Sequence, residues 1–209
     1  DGMRKRALFV GNYFQTPRAY GSVGRMVSAQ LRERGWSVLE TSHYANRVAR
    51  LLHMLGCALV WSRRYDVAQV DVFSGPAFLW SEAVCLMLRV LRKPYVLSLH
   101  GGNLPAFAAR HPGRVRRLLR HATTVTSPSG YLRASLRPYR DDIQIVPNII
   151  ILTDHPFRVR EASSPRLVWV RAFHAIYNPS LVPRILARLI ADVPALHVDM
   201  VGPDKHDGS

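Results

Sequence analysis

The chain has 209 residues, 48% of them hydrophobic, and carries 29 Lys and Arg against 14 Asp and Glu, for a formal net charge of +15 at pH 7. Such a length supports a real core, in one large domain or one domain with part of another, and such a charge favours acidic partners: nucleic acid, anionic lipid or phosphorylated substrates. Cys57 and Cys85 lie inside apolar helical patterns, so they read as buried thiols of a reducing compartment and not as a disulfide framework or a zinc site.

The longest apolar stretches, 51–61 and 83–91, are broken by His53 and Arg89 and are shorter than the roughly 20 residues of a membrane span. Arg4, Lys5 and Arg6 run directly into the apolar residues 7–10, without the long apolar core or small-residue cleavage site of a secretory signal. A cytoplasmic location is expected, including the inner face of the membrane.

In chain order, residues 7–11 (ALFVG) predict a first strand, followed by the loop NYFQTPRAYGSVG and an amphipathic helix over 23–34 that Gly35 stops. Residues 37–40 give a second strand and 46–63 a second helix; 68–73 a third strand and 78–91 a third helix. The stretch 94–105, PYVLSLHGGNLP, predicts a fourth strand over 95–99, covered on both faces, that delivers His100 into a glycine-bearing loop. A basic helix over 115–121, a strand over 123–126, a helix over 129–136 and a strand over 143–146 follow. Repeated strand-helix units predict an α/β fold with a doubly wound parallel sheet.

Pro147-Asn148 interrupts this pattern, which predicts a Rossmann-like domain over 1–150 and a linker over 151–165. A strand over 167–170, a helix over 179–190 and a strand over 196–201 then open a second unit. Residues 166–209 are too few to form a stable domain of that type alone, so they are expected to be the start of one.

In open α/β sheets ligands bind outside the carboxyl ends of the strands, which singles out His100 and Arg171, each directly after an apolar strand. His100 suits an acid, a base or a hydroxyl ligand, and equally a histidine that caps a strand end. No Asp or Glu lies close to it in sequence. Arg171 suits a diphosphate held by bidentate hydrogen bonds, and equally a surface ion pair. Gly21 and Gly24 flank the start of the first helix, where free N–H groups favour a phosphate, although an ordinary tight turn explains them as well. Asn178-Pro179 reads as a helix start, with Asn as cap and Pro in the first turn. The basic run 110–120 (RHPGRVRRLLR), continued by Arg133, Arg137 and Arg140, is either a solvated helix face or a contact for an anionic membrane. No helix-turn-helix, zinc finger or aromatic single-strand platform accompanies it, so nucleic acid is not an expected partner. The sequence holds no H-E-x-x-H, C-x-x-C or D-x-D element, so no metal site is expected.

Taken together, the glycine-bearing first loop with Gly21, RYDVAQVDVFSGP, SLHGGN, TVTSPSGYL, IVPNII and LVWVRAFHAIYNPSLV resemble, in order and spacing, the amino-terminal two thirds of retaining GT-B glycosyltransferases of family four. The resemblance covers nearly the whole chain. It implies a GT-B-like fold with an acceptor-side domain over 1–150 and an incomplete donor-side domain over 166–209. It implies metal-independent transfer of a sugar from a nucleotide sugar, the co-substrate in place of any bound cofactor, to a hydroxyl of a glycan or lipid-linked acceptor. Gly21 and Ser22 match the loop that meets the donor phosphates, His100 the histidine that contacts the donor sugar, and Arg171 the arginine that neutralises the departing diphosphate. Gly101, Gly102, Asn103 and Asn178 are the loop candidates for the acceptor side. The family's Lys-Gly is replaced here by Asn178-Pro179, and its paired glutamates would lie beyond Ser209. The alternatives are a non-catalytic module that binds nucleotide sugars or other anions, and a basic module that binds membranes peripherally, with 46–63 and 115–121 on anionic lipid.

Overall fold

Apolar strands alternate with amphipathic helices from the first described residues onward, and the alternation builds a parallel sheet. The computed structural model describes residues 5–11, 23–41, 44, 46–154, 156–159 and 164–206. The chain divides into two units, Asp1–Ile150 and Ile151–Ser209. Gly21, Ser22 and most of the first loop lie outside the described residues.

In the first unit the strands are β1 (Arg6–Val10), β2 (Ser37–Thr41), β3 (Val67–Val72), β4 (Tyr95–Leu99), β5 (Thr124–Ser127) and β6 (Gln144–Ile145). They form one parallel sheet in the order β2-β1-β3-β4-β5-β6. Between them run α1 (Val23–Glu33), α2 (Arg47–Val60), α3 (Pro76–Val90), α4 (Leu104–Arg110), α5 (Pro112–Arg120) and α6 (Gly130–Leu136). The chain leaves β1 for β2 on one side and then crosses to β3 on the other. That reversal is a topological switch point, where the carboxyl ends of β1 and β3 border a crevice.

Local chemistry sets the helix ends. Asn46 caps α2, its side-chain oxygen accepting from the N–H groups of Val48 and Ala49 at 2.9 and 3.1 Å. Gly35, at φ +82°, closes α1 while the Trp36 N–H returns to the Leu31 carbonyl. Pro76 takes the first turn of α3, where its missing N–H costs nothing.

The main core joins Val70, Val72, Leu97, Leu99 and Val125 of the sheet with Met54, Phe78, Val84, Leu88, Leu104 and Leu119 of the helices. A smaller cluster of Ala7, Phe9 and Val38 packs with Val27 and Leu31 of α1. β4 is buried unequally on its two faces. Tyr95, Leu97 and Leu99 are buried, but Val96 and Ser98 are only partly so, and β3 alternates in the same way. Among the described residues α1 packs on β2.

Two elements differ from the sequence reading. Residues 104–110, for which the sequence predicts no element, form α4, and α5 begins at Pro112 rather than at Val115. Both open with a proline in the first turn, so Pro105, read with the glycine-bearing loop, belongs to a helix start. Cys57 and Cys85 are buried free thiols. Among the described residues no helix is long and apolar enough to cross a membrane. α2 nevertheless leaves Val48, Leu52, Leu59 and Val60 exposed.

In the second unit β7 (Arg166–Val170) pairs in parallel with β8 (His197–Val201), and α7 (Leu181–Leu189) connects them. Asn178 is not the cap of that helix. It stands at φ +50° and closes a short 3-10 turn over Ala175–Tyr177, and the helix starts after Ser180. Asn is among the few residues that tolerate the left-handed region, and it serves the turn before the helix; its side-chain oxygen accepts from the Ser180 hydroxyl at 3.1 Å.

Leu97 is fully buried at the centre of the sheet. Leu97→Ala is expected to cost about 2–5 kcal/mol, read as a lower urea midpoint with an unchanged slope for the first unit.

Candidate functional site

The carboxyl edge of β3 and β4 assembles the best-defined polar site of the first unit. β3 and β4 run in register with Asp71 beside Ser98 and Val72 beside Leu99. The His100 backbone N–H continues the ladder by donating to the Val72 carbonyl at 2.9 Å. This pairing brings the His100 ring over Asp71, with Nε2 3.2 Å from the Asp71 carboxylate. Both side chains are largely sealed from water, at 14% and 8% exposure.

An ionised carboxylate can only accept, so the hydrogen on Nε2 must point at Asp71. Nδ1 has no partner among the described residues and is the ring atom left for a ligand. Phe73 fixes the ring plane by stacking on it, centroids 5.0 Å apart and planes 20° apart. The Ser81 hydroxyl of α3 donates to the Asp71 carbonyl at 2.9 Å and holds the strand end from the helix side. A buried acid, an oriented imidazole and an aromatic stop together suit a hydrogen bond aimed at one atom of a bound ligand.

Asp71 is the residue that sequence reasoning missed. It is remote from His100 in the chain, and only the parallel pairing of two neighbouring strands brings them together. The available signal was the acid near the end of the apolar run 67–73, one strand before the histidine.

Beside this pair a cavity of about 20 Å³ opens at the switch point, between Gly11 at the end of β1, Asp71 and Phe73 at the end of β3, and Trp80 of α3. It has room for about one water. The Arg50 guanidinium, only 6% of that residue being exposed, lies 4.9 Å from the centre of the Trp80 ring. Burial, then Arg47, pulls the Arg50 pKa below its ordinary value. Gly101 follows His100 at φ +86°, a conformation open mainly to glycine, and turns the chain into α4. Gly102 and Asn103 are exposed in that turn, and Asn103 precedes α4 without making a side-chain cap.

In the second unit, Arg171 follows β7 as expected, exposed, with its N–H donating to the Val201 carbonyl at 3.1 Å. Its guanidinium lies 5.4 Å from the centre of the Tyr177 ring, a cation–π contact that orients the planar donor fork. Asn178 is exposed in the next turn. Gly202 packs against the Arg171 backbone so closely that a Cβ there would overlap the Arg171 carbonyl. Among the described residues no group of three or more His, Cys, Asp or Glu is placed to hold a metal ion.

No protein-family model matches the chain, and no curated protein matches it. Solved structures share its fold. An α-glucosyltransferase in complex with UDP is 10% identical, with a TM-score of 0.59 over 98% of this chain and 59% of its own. An α-glucosyltransferase with UDP-glucose and DNA containing an abasic site is 11% identical, with a TM-score of 0.58 over 96% and 57%. One with UDP and a 13-mer DNA is 9% identical, with a TM-score of 0.55 over 97% and 68%. The chain thus spans between 57% and 68% of the length of these three structures. The α/β fold is GT-B-like, with a Rossmann-type parallel sheet. Two of these neighbours are in complex with DNA.

Asp71→Asn keeps the shape but lets either ring nitrogen of His100 carry the hydrogen; the expected result is loss of a slowly exchanging His100 Nε2–H signal in ¹⁵N NMR while the fold persists. Gly202→Ala is expected to push β8 off the Arg171 backbone and lower the stability of the second unit by at least about 1 kcal/mol, seen as faster amide exchange across β7 and β8.

Proposed function

We propose that the chain is part of a nucleotide-sugar-dependent glycosyltransferase that works with retention and without a metal ion. The observation that carries this reading is the oriented His100–Asp71 pair at the carboxyl edge of a GT-B-like sheet. The fold shared with UDP-bound glucosyltransferases supports it. In this proposal the first unit is the acceptor side and the second is the start of the donor side. The exposed apolar side chains of Val168 and Val170 on β7 fit a sheet that a larger domain would cover.

His100, held by Asp71, hydrogen-bonds a hydroxyl of the donor sugar through its free ring nitrogen as positive charge develops at the reacting carbon. Arg171 pairs with the diphosphate. Its guanidinium offers two parallel donors to the oxygens that gain charge as the sugar–phosphate bond breaks. Gly21 and Ser22 belong to the loop that the family resemblance assigns to the donor phosphates. With that charge met by arginine and N–H groups, no divalent cation is required. The acceptor hydroxyl attacks from the leaving-group face, and the donor phosphate takes its proton. Gly101, Gly102 and Asn103 border the acceptor beside His100, and Asn178 lies near Arg171 in sequence.

The acceptor class is open to a direct screen: glycans, lipid-linked hydroxyls at an anionic membrane, and DNA carrying a hydroxymethyl base, the last prompted by the neighbours' ligands. The test is sugar transfer from UDP-glucose and other nucleotide sugars by the protein as produced in its own cells. Transfer that survives a chelator, and an anomeric ¹H signal in the product matching the donor's configuration, are the expected results. His100→Ala and Arg171→Ala should each lower kcat by at least about tenfold, or roughly 1.4 kcal/mol of transition-state stabilisation. Unchanged turnover in both variants would remove these residues from the mechanism, and inversion at the anomeric carbon would exclude the retaining reading.

A further inference from the structure

A second cavity, of about 310 Å³, lies between α3 and α5 at the amino end of β4. Tyr95 opens that strand and His100 follows its other end, so the cavity and the His100 site are separated by the length of the strand, about 16 Å.

Tyr95 lines the cavity and is 2% exposed, and its hydroxyl is buried without any hydrogen-bond partner. Among the described residues it is the one buried side-chain polar atom left in that condition. Buried hydroxyls are nearly always bonded, so this one calls for a partner that the described residues do not supply. Arg89 of α3 and Arg117 of α5 border the same space. Both are exposed, and neither pairs with a carboxylate among the described residues. Glu82, the one acid of the lining, is already held by Arg114 through two hydrogen bonds of 3.1 and 2.5 Å. His121 completes the polar wall. Its pKa is lowered by desolvation and then by Arg89, Arg120 and Arg117, whose positive charge gathers beside it. Burial raises the Tyr95 phenol to about 12, so near neutral pH it remains a donor.

Two guanidinium groups, a phenol and an imidazole offer donors, and no free acid competes for them. The complementary ligand is a group made of acceptors with negative charge. Leu86 and Leu118 supply apolar surface beside it.

We propose that this cleft is a second binding site, separate from the His100 site, for a phosphate group held by Arg89 and Arg117 and reached by the Tyr95 hydroxyl, with the apolar part of the ligand on Leu86 and Leu118. A phosphate ester in solution and the headgroup of an acidic lipid present this same chemistry. The proposal does not depend on the transferase reading.

The test uses the full chain in an Arg171→Ala background, so that phosphate held by that arginine does not contribute. Inorganic phosphate is titrated while the melting temperature and the ³¹P line width are followed. The parent is expected to gain stability with phosphate, and Arg117→Ala to weaken the apparent affinity about tenfold. Tyr95→Phe should melt higher than the parent without phosphate, because it removes an unpaired hydroxyl, and should gain less when phosphate is added. No response to phosphate in the parent, or equal affinity in the parent and both variants, overturns the proposal. Sedimentation with phosphatidylcholine vesicles containing phosphatidic acid, lost in Arg117→Ala, assigns the site to a lipid headgroup. A phosphate response without sedimentation assigns it to a soluble phosphate ester.

Discussion

The parallel pairing of β3 with β4 is the constraint on which the candidate site depends. Parallel strands have evenly spaced, slanted hydrogen bonds and require a helical crossover between them, here α3. Once Val72 and Leu99 are level, the His100 N–H has one natural acceptor, the Val72 carbonyl, and its ring falls on Asp71. A slip of the register would turn side chains to the other face, separating the acid from the imidazole while burying Asp71 without its partner. The apolar alternation of both strands, with Val70, Val72, Leu97 and Leu99 all facing the core, prevents that slip. The same pattern that stabilises the sheet therefore fixes the polar pair at its edge.

Much of this architecture was legible in the sequence because it is encoded locally. Strand-sized apolar runs, helical stripes and Gly35 as a stop are each decided within a few residues, and the strand-helix alternation then allows little but a parallel sheet. Pairing between distant segments was less accessible. Asp71 and His100 belong to different strands, and nothing in either local pattern states which strands are neighbours or in what register. Asn178-Pro179 shows the opposite difficulty. Asn178, with good credentials for capping a helix, closes the 3-10 turn before it, because Asn can also occupy the left-handed region. The short helix α4 was hidden by Gly101, Gly102 and Pro105, which read as loop until the proline is recognised as part of a first helical turn.

The distribution of charge follows from the sheet as well. Some of the arginines have structural work. Arg114 is tied to Glu82 and lies near the faces of Phe78 and Phe107. Arg140 donates to the carbonyls of Leu119 and Ala122 at the end of α5 while it pairs with Asp142. These account for charges that a reading of the basic run 110–140 as one uniform surface would have assigned to a partner. Arg89 and Arg117 are different, since among the described residues neither forms an ion pair with an acid, and they border a buried hydroxyl that has no partner there either.

The two ends of β4 thus face contrasting requirements. At the carboxyl end, a carboxylate and an imidazole satisfy each other and leave one ring nitrogen for a ligand, an arrangement suited to directing a hydrogen bond. At the amino end, donors converge where the one acid of the lining is already held by Arg114, an arrangement suited to holding an anion. The crossover topology keeps the ends apart: helices that return from the carboxyl edge deliver their own C-terminal turns to the amino edge. Arg89 is in the last turn of α3 and Arg117 in that of α5, where cations are favoured by the helix dipole. A ligand phosphate in the cleft would face those helix ends as well as the arginines, so its binding depends on the guanidinium groups outweighing the negative end of each dipole. The arginines are accordingly indispensable to the amino-edge site, whereas the site at His100 draws its character from a single buried carboxylate.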